Sequence, residues 1–106
     1  MKILFDNKEL NVKYCQNFKD RLIGLMFNKN NIDYCLCFPN CNSIHTFFMK
    51  QNIDVVMTDK DNKILFLYKS LKPWKIIWPK KNVYYVYETK ENTFNYNIGD
   101  FLNIKK

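Results

Sequence analysis

Ile53-Asp54-Val55-Val56-Met57-Thr58-Asp59-Lys60-Asp61-Asn62-Lys63-Ile64-Leu65-Phe66-Leu67-Tyr68-Lys69-Ser70 is the stretch that decides the fold. Two apolar, β-prone runs, 53–58 and 63–70, flank the polar segment 59–62. Asp and Asn favour tight turns, and Asn62 can adopt a positive φ, so the stretch predicts an antiparallel hairpin. The same reading extends outward. Upstream, 2–5 and 9–14 are short β-prone runs around the turn Asp6-Asn7-Lys8, with Leu10, Val12 and Tyr14 alternating with Asn11 and Lys13. A run over 34–38 stops at Pro39, and 44–49 leads into the hairpin. Downstream, 74–78 lies between Pro73 and Pro79 and reads as a short edge segment covered by large aromatics. Strands over 83–89 and 101–104 complete the pattern.

One segment has a different period. Phe18, Leu22, Leu25 and Met26 recur at helical spacing, Asn17 can cap the N-terminus, and Asp20 suits the first turn. A helix is therefore expected over 17–26, with Gly24 serving close approach to a strand. Eight or so strands with one or two short helices predict an all-β fold, either a jelly-roll-like β-sandwich or a small distorted barrel. The 106 residues suffice for one domain, 1–106, with one core.

Composition narrows the function classes. The net charge of +7 invites a nucleic-acid reading. Yet Arg21 is the only arginine among seventeen basic residues, whereas phosphate and base recognition favours the guanidinium fork. The lysines are also scattered, so nucleic acid is not an expected partner. No apolar run approaches the roughly 20 residues that span a bilayer, and the early Lys2 and Asp6 do not suit a signal peptide, so no membrane partner is expected. A cytoplasmic location follows as an expectation, and Cys15, Cys35, Cys37 and Cys41 then read as reduced thiols.

Three motifs occur in register: Arg21-Leu22-Ile23-Gly24-Leu25-Met26, then Ile44-His45-Thr46-Phe47-Phe48-Met49 with Ile53-Asp54-Val55-Val56, and finally Glu88 with a late Gly99-Asp100. Together they resemble domain-of-unknown-function family 192 over residues 18–102. Cys41 and Lys72-Pro73-Trp74 suggest one branch of it. The resemblance implies an all-β, jelly-roll-like sandwich with short helices, and no assigned activity. The sequence departs from the family after Glu88, where Thr89-Lys90-Glu91-Asn92 stands in place of an early glycine.

Four groups of residues are candidates for function. Asp54 and Glu88 each interrupt an apolar strand, where a carboxylate is costly unless paired. Pairing with Arg21 would pin the helix to the sheet, whereas an unpaired acid could line a ligand cleft with a raised pKa. Cys41, the sole histidine His45, Met49 and Asp54 form the candidate site. A Cys41–His45–Asp54 grouping follows the logic of an activated thiolate, but no Gly-rich oxyanion loop accompanies it. Cys35, Cys37, Cys41 and His45 could hold Zn²⁺, or Cu⁺ with Met49, although the paired C-x₂₋₄-C knuckle is missing. Trp74, Trp78, Tyr84, Tyr85 and Tyr87 read as core and edge cover, or as a stacking surface. The expectation is a small non-catalytic binding or accessory module with a cleft near Cys41–Asp54, without a cofactor. A cysteine-dependent enzyme and a metal-binding protein are the alternatives.

Overall fold

The computed structural model describes residues 2–5, 8–15, 34–46, 51–93 and 95–105. Nine strands occur among them: β1 (Lys2–Phe5), β2 (Lys8–Tyr14), β3 (Tyr34–Pro39), β4 (Ile44–His45), β5 (Ile53–Thr58), β6 (Ile64–Leu71), β7 (Ile76–Ile77), β8 (Tyr85–Lys90) and β9 (Asn103–Lys105). No helix occurs among the described residues, and the helix expected over 17–26, with Arg21 and Gly24, lies outside them. The all-β expectation holds. Its barrel-like form is the one adopted.

Seven strands form one mixed sheet in the order β6-β5-β8-β3-β2-β1-β9, and β4 pairs with β7 in a small second sheet. The hairpin read from the sequence is β5–β6, antiparallel from Ile53↔Leu71 to Thr58↔Ile64. Asp59 builds its turn by accepting the Asp61 and Lys63 amides on Oδ1. Asn62 takes a φ of 64°. The hairpin's register shifts twice, each time with an extra residue on β6. Such bulges bend and twist a strand, and here they begin the curl of the sheet into a half-barrel.

The two ends of that sheet are tied at one rim. Lys63, just before β6, bridges Phe101, just before β9. The Ile64 amide donates to the Asp100 carbonyl and the Leu102 amide to the Asn62 carbonyl. Barrel closure of this kind removes exposed edges.

Two apolar clusters lie on opposite faces of the main sheet. Inside the curl are Ile3, Leu10, Cys35, Cys37, Val56, Ile64, Tyr87 and Leu102. Outside it are Cys15, Leu36, Ile53, Val55, Met57, Val83 and Val86, covered by Ile77 of β7 and flanked by Ile44 of β4. All six residues of β5 are consequently buried, which is why that strand reads as a near-continuous apolar run.

The pairing of β2 with β3 is parallel, with Tyr14 opposite Cys37. Strand β8 inserts between β5 and β3. The segment expected as an edge strand over 74–78 contributes only β7, on the second sheet rather than at the edge of the first.

Candidate functional site

Asp54 is fully buried on the central strand β5. The extra residues on β6 opposite it include Ser70, held at a φ of 55°, and a bulge leaves backbone groups without a ladder partner. Asp54 supplies one. Its Oδ1 accepts the Ser70 amide at 3.0 Å and its Oδ2 accepts the Thr93 amide at 3.1 Å. The carboxylate thus grips β6 on one side and the turn leaving β8 on the other.

Glu88 is also buried, but register places it elsewhere. It pairs with Leu36 and with Val55, both in the outer cluster, whereas Asp54 pairs with Thr89. Paired residues share a face, so the two acids point to opposite faces of the sheet. Arg21, their expected partner, lies outside the described residues.

Cys41 and His45 sit in the layer over the outer cluster. Cys41 is half-buried against that cluster; its thiol donates to the Ser43 carbonyl at 3.0 Å and its amide to the Tyr84 carbonyl at 3.0 Å. Tyr84 adjoins the start of β8, and Asp54 stands opposite Thr89 near its far end. Five residues of extended chain separate those positions, about 17 Å. The structure therefore does not bring Asp54 to Cys41. Met49 lies outside the described residues.

Cys35 and Cys37 face the opposite way, into the curl of the sheet. Burial pushes the Cys35 thiol well above its ordinary range, and burial pushes Cys37 up to about 12. Neutral buried thiols are poor nucleophiles. Among the described residues no three His, Cys, Asp or Glu side chains are grouped to hold a metal ion.

What His45 does join is a cleft. Strands β4 and β7 pair with Ile44 opposite Ile77 and His45 opposite Ile76. Ile77 is buried in the outer cluster, and Ile44 packs against it. His45 and Ile76 consequently share the outward face. There, Ser43, Ile44, His45, Ile76, Ile77, Trp78 and Pro79 line a cleft of about 360 Å³. Trp78 is 69% exposed and Ile76 45%.

The aromatics expected as core and edge cover therefore divide. Tyr87 is buried and donates its hydroxyl to Asn62 Oδ1 at 2.6 Å, pinning the hairpin turn. Tyr84 and Tyr85 are half-buried and meet edge-on, centroids 4.7 Å apart. Trp74 and Trp78, the only tryptophans in the chain, stand out in solvent.

One residue of this site was missed by sequence reasoning. Thr46 is fully buried; its hydroxyl donates to the Lys72 carbonyl at 2.7 Å and accepts the Lys75 amide at 2.8 Å. Its backbone carbonyl accepts the Trp74 amide at 3.0 Å. Thr46 thus fixes the Lys72–Lys75 turn that leads into β7. The available signal was the polar residue between Ile44 and Phe48 in an otherwise apolar run, together with the Lys72-Pro73 turn that needs an outside partner.

A second cavity, about 420 Å³, is lined by Asp59, Lys60, Asp61, Asn82, Val83 and Tyr84. Its Asp59 carboxylate is engaged in the hairpin turn. Lys60 Nζ lies 5.5 Å from the Tyr84 ring centroid.

Comparison with known proteins agrees with this architecture. A family model described as an uncharacterised ACR matches residues 1–104. A UPF0127 protein of Thermococcus sibiricus is 37% identical over 98 residues, covering 84% of this chain and 62% of its own length. Another from Pyrococcus horikoshii is 36% identical over 82 residues, covering 73% of this chain and 70% of its own. The chain thus spans about two thirds of the length of these relatives. Among solved structures, a Sinorhizobium meliloti protein provisionally described as a transcription regulator superposes with a TM-score of 0.73 at 18% identity, over 96% of this chain and 89% of that one. A protein of unknown function from Novosphingobium aromaticivorans gives 0.65 at 11% identity, over 86% and 71%. At these identities the likeness is one of fold.

Proposed function

The chain belongs to domain-of-unknown-function family 192, and on that premise we propose that it is a non-catalytic binding module whose ligand seats in the cleft between β4 and β7. One observation carries the reading. Ile76 and Trp78 stand exposed at a cleft whose floor, Ile44 and Ile77, is anchored in the core. Large apolar side chains held outward on a rigid support are the usual make-up of a recognition site. The dispersal of the chemically active groups supports the same view, since Asp54 holds backbone, Cys35 and Cys37 are buried, and Asp54 stands far along the sheet from Cys41.

The location is part of the proposal. Cys15, Cys35, Cys37 and Cys41 are free thiols, three of them buried, which suits a reducing compartment such as the cytoplasm. No helix among the described residues is long and apolar enough to cross a membrane.

The test is a fragment screen by surface plasmon resonance against the wild-type chain and Trp78→Ala. Fragments that bind the wild type and lose at least tenfold in affinity on Trp78→Ala support the cleft. A set of hits indifferent to Trp78→Ala, or no hits at all, overturns it.

A further inference from the structure

Seven described residues have a left-handed backbone: Asn40, Asn62, Asn82 and Asn92, Gly99, Ser70, and Trp74 at 65°. Asn and Gly tolerate that conformation, and the Ser70 amide is gripped by Asp54. Trp74 is the exception. A bulky side chain there strains the backbone, and such strain persists only where the surrounding structure over-determines it. Trp74 itself is 60% exposed. The turn around it is held by Thr46, whose hydroxyl donates to the Lys72 carbonyl and accepts the Lys75 amide, and whose backbone accepts the Trp74 amide and donates to the Lys75 carbonyl. The fold thus maintains a strained turn that displays a tryptophan to solvent, immediately before the exposed Ile76 and Trp78.

The two stretches that form this display carry charge of one sign. Residues 71–87 include Lys72, Lys75, Lys80 and Lys81 and no Asp or Glu, and residues 34–46 add no acid. The cleft between those stretches has aliphatic walls, Ile44, Ile76 and Ile77. Such walls suit an inserted apolar side chain, and the lysines around it suit carboxylates. Stacked nucleobases fit less well, because the described residues here carry lysine point charges and no guanidinium fork.

Building on the cleft reading above, we infer that Trp74 is held left-handed to serve as a contact face, and that the ligand is an extended protein segment with an apolar side chain flanked by acidic residues. The apolar side chain enters between Ile76 and Trp78, and the acidic flanks meet the lysines.

The experiment selects a displayed library of random heptapeptides on the immobilised full chain and measures the enriched peptides, synthesised, by fluorescence anisotropy. Enrichment of an aromatic or aliphatic residue beside Asp or Glu is expected, with binding weakened at least fivefold between 50 and 300 mM salt. Trp74→Gly and Trp74→Asn relieve the backbone and should keep or raise the melting temperature while weakening binding at least tenfold. A purely structural tryptophan would show the reverse, a lower melting temperature with binding kept. Enriched peptides without acids, or a fluorescent oligothymidine that binds more tightly than any peptide, would overturn the inference. Peptides that depend on Trp78 but not on Trp74 overturn it while leaving the cleft reading intact. Peptides indifferent to Trp78→Ala, or a library without enrichment, overturn both.

Discussion

Asp54→Ala removes a carboxylate that satisfies the β6 bulge and the turn after β8 together. In the folded chain its two oxygens accept the Ser70 and Thr93 amides at 3.0 and 3.1 Å, at a site with no solvent exposure. Alanine leaves both amides without an acceptor, and each orphaned buried group costs about 1–3 kcal/mol. The sum is about 3 kcal/mol if water reaches one of them, a large share of the roughly 5–15 kcal/mol that holds a small domain together. At about 4 °C per kcal/mol for a chain of this size, the melting temperature should fall by about 12 °C. Asp54→Asn keeps one acceptor oxygen and turns an NH₂ group toward the other amide, so it should cost about 2 kcal/mol. The assay is urea unfolding followed by far-ultraviolet circular dichroism, with the slope unchanged and the midpoint reduced in the order wild type, Asn, Ala. An Asp54→Ala variant within about 0.5 kcal/mol of wild type, the range of ordinary surface substitutions, would refute the assignment of Asp54 as a backbone clamp.

The other predictions concern the turn, the thiols and acid. Thr46→Val keeps the shape but orphans the Lys72 carbonyl and the Lys75 amide, and should cost about 2 kcal/mol in the same unfolding assay, with Thr46→Ser restoring most of it. Under iodoacetamide at pH 8, mass mapping should find Cys41 alkylated first and Cys35 and Cys37 protected until unfolding, because burial keeps those two thiols protonated; equal rates at all three would contradict their placement. Glu9 hydrogen-bonds Lys2 and lies near Lys105, and these hold its carboxyl below the usual 4.5. Because the folded value is the lower one, this contribution is present above pH 4.5 and fades as pH falls through the folded value. Glu9→Gln should therefore show a flatter loss of melting temperature over that acid range, and added salt should bring the two proteins together; parallel acid limbs would count against the pairing.

Much of the strand content was legible because it rests on local signals. Strands β1 and β5 fall where alternation and apolar runs place them, 2–5 and 53–58, and the Asp59–Asn62 turn carries its own instructions in Asp59 and Asn62. Pairing partners were not local. Nothing in the residues of β8 says that it inserts between β5 and β3, and the parallel β2–β3 pair is joined through a long connection rather than a turn. The site was legible in its residues and not in its grouping. His45 was marked as a candidate, and the cleft it shares with Ile76 and Trp78 could not be read from the chain, because β4 pairs with β7 in a separate sheet. Asp54 and Glu88 looked alike as acids in apolar strands; only register shows that they face opposite sides. Trp74 and Trp78 were read as cover because aromatics in β proteins are usually buried, and the flanking Pro73 and Pro79 gave no sign of which way the indoles point.

The central claim, that the cleft between β4 and β7 is where this protein binds, is tested most directly by nitrogen-15 correlation spectra recorded during addition of an apolar fragment pool. The two indole N–H signals belong to Trp74 and Trp78, so both are site reporters. The account predicts shifts at the Trp78 indole and at the Ser43–His45 and Ile76–Trp78 amides, with the Asp59–Tyr84 cavity unaffected. Shifts confined to Asp59, Lys60, Asp61 and Tyr84, or a spectrum that does not change, would contradict it.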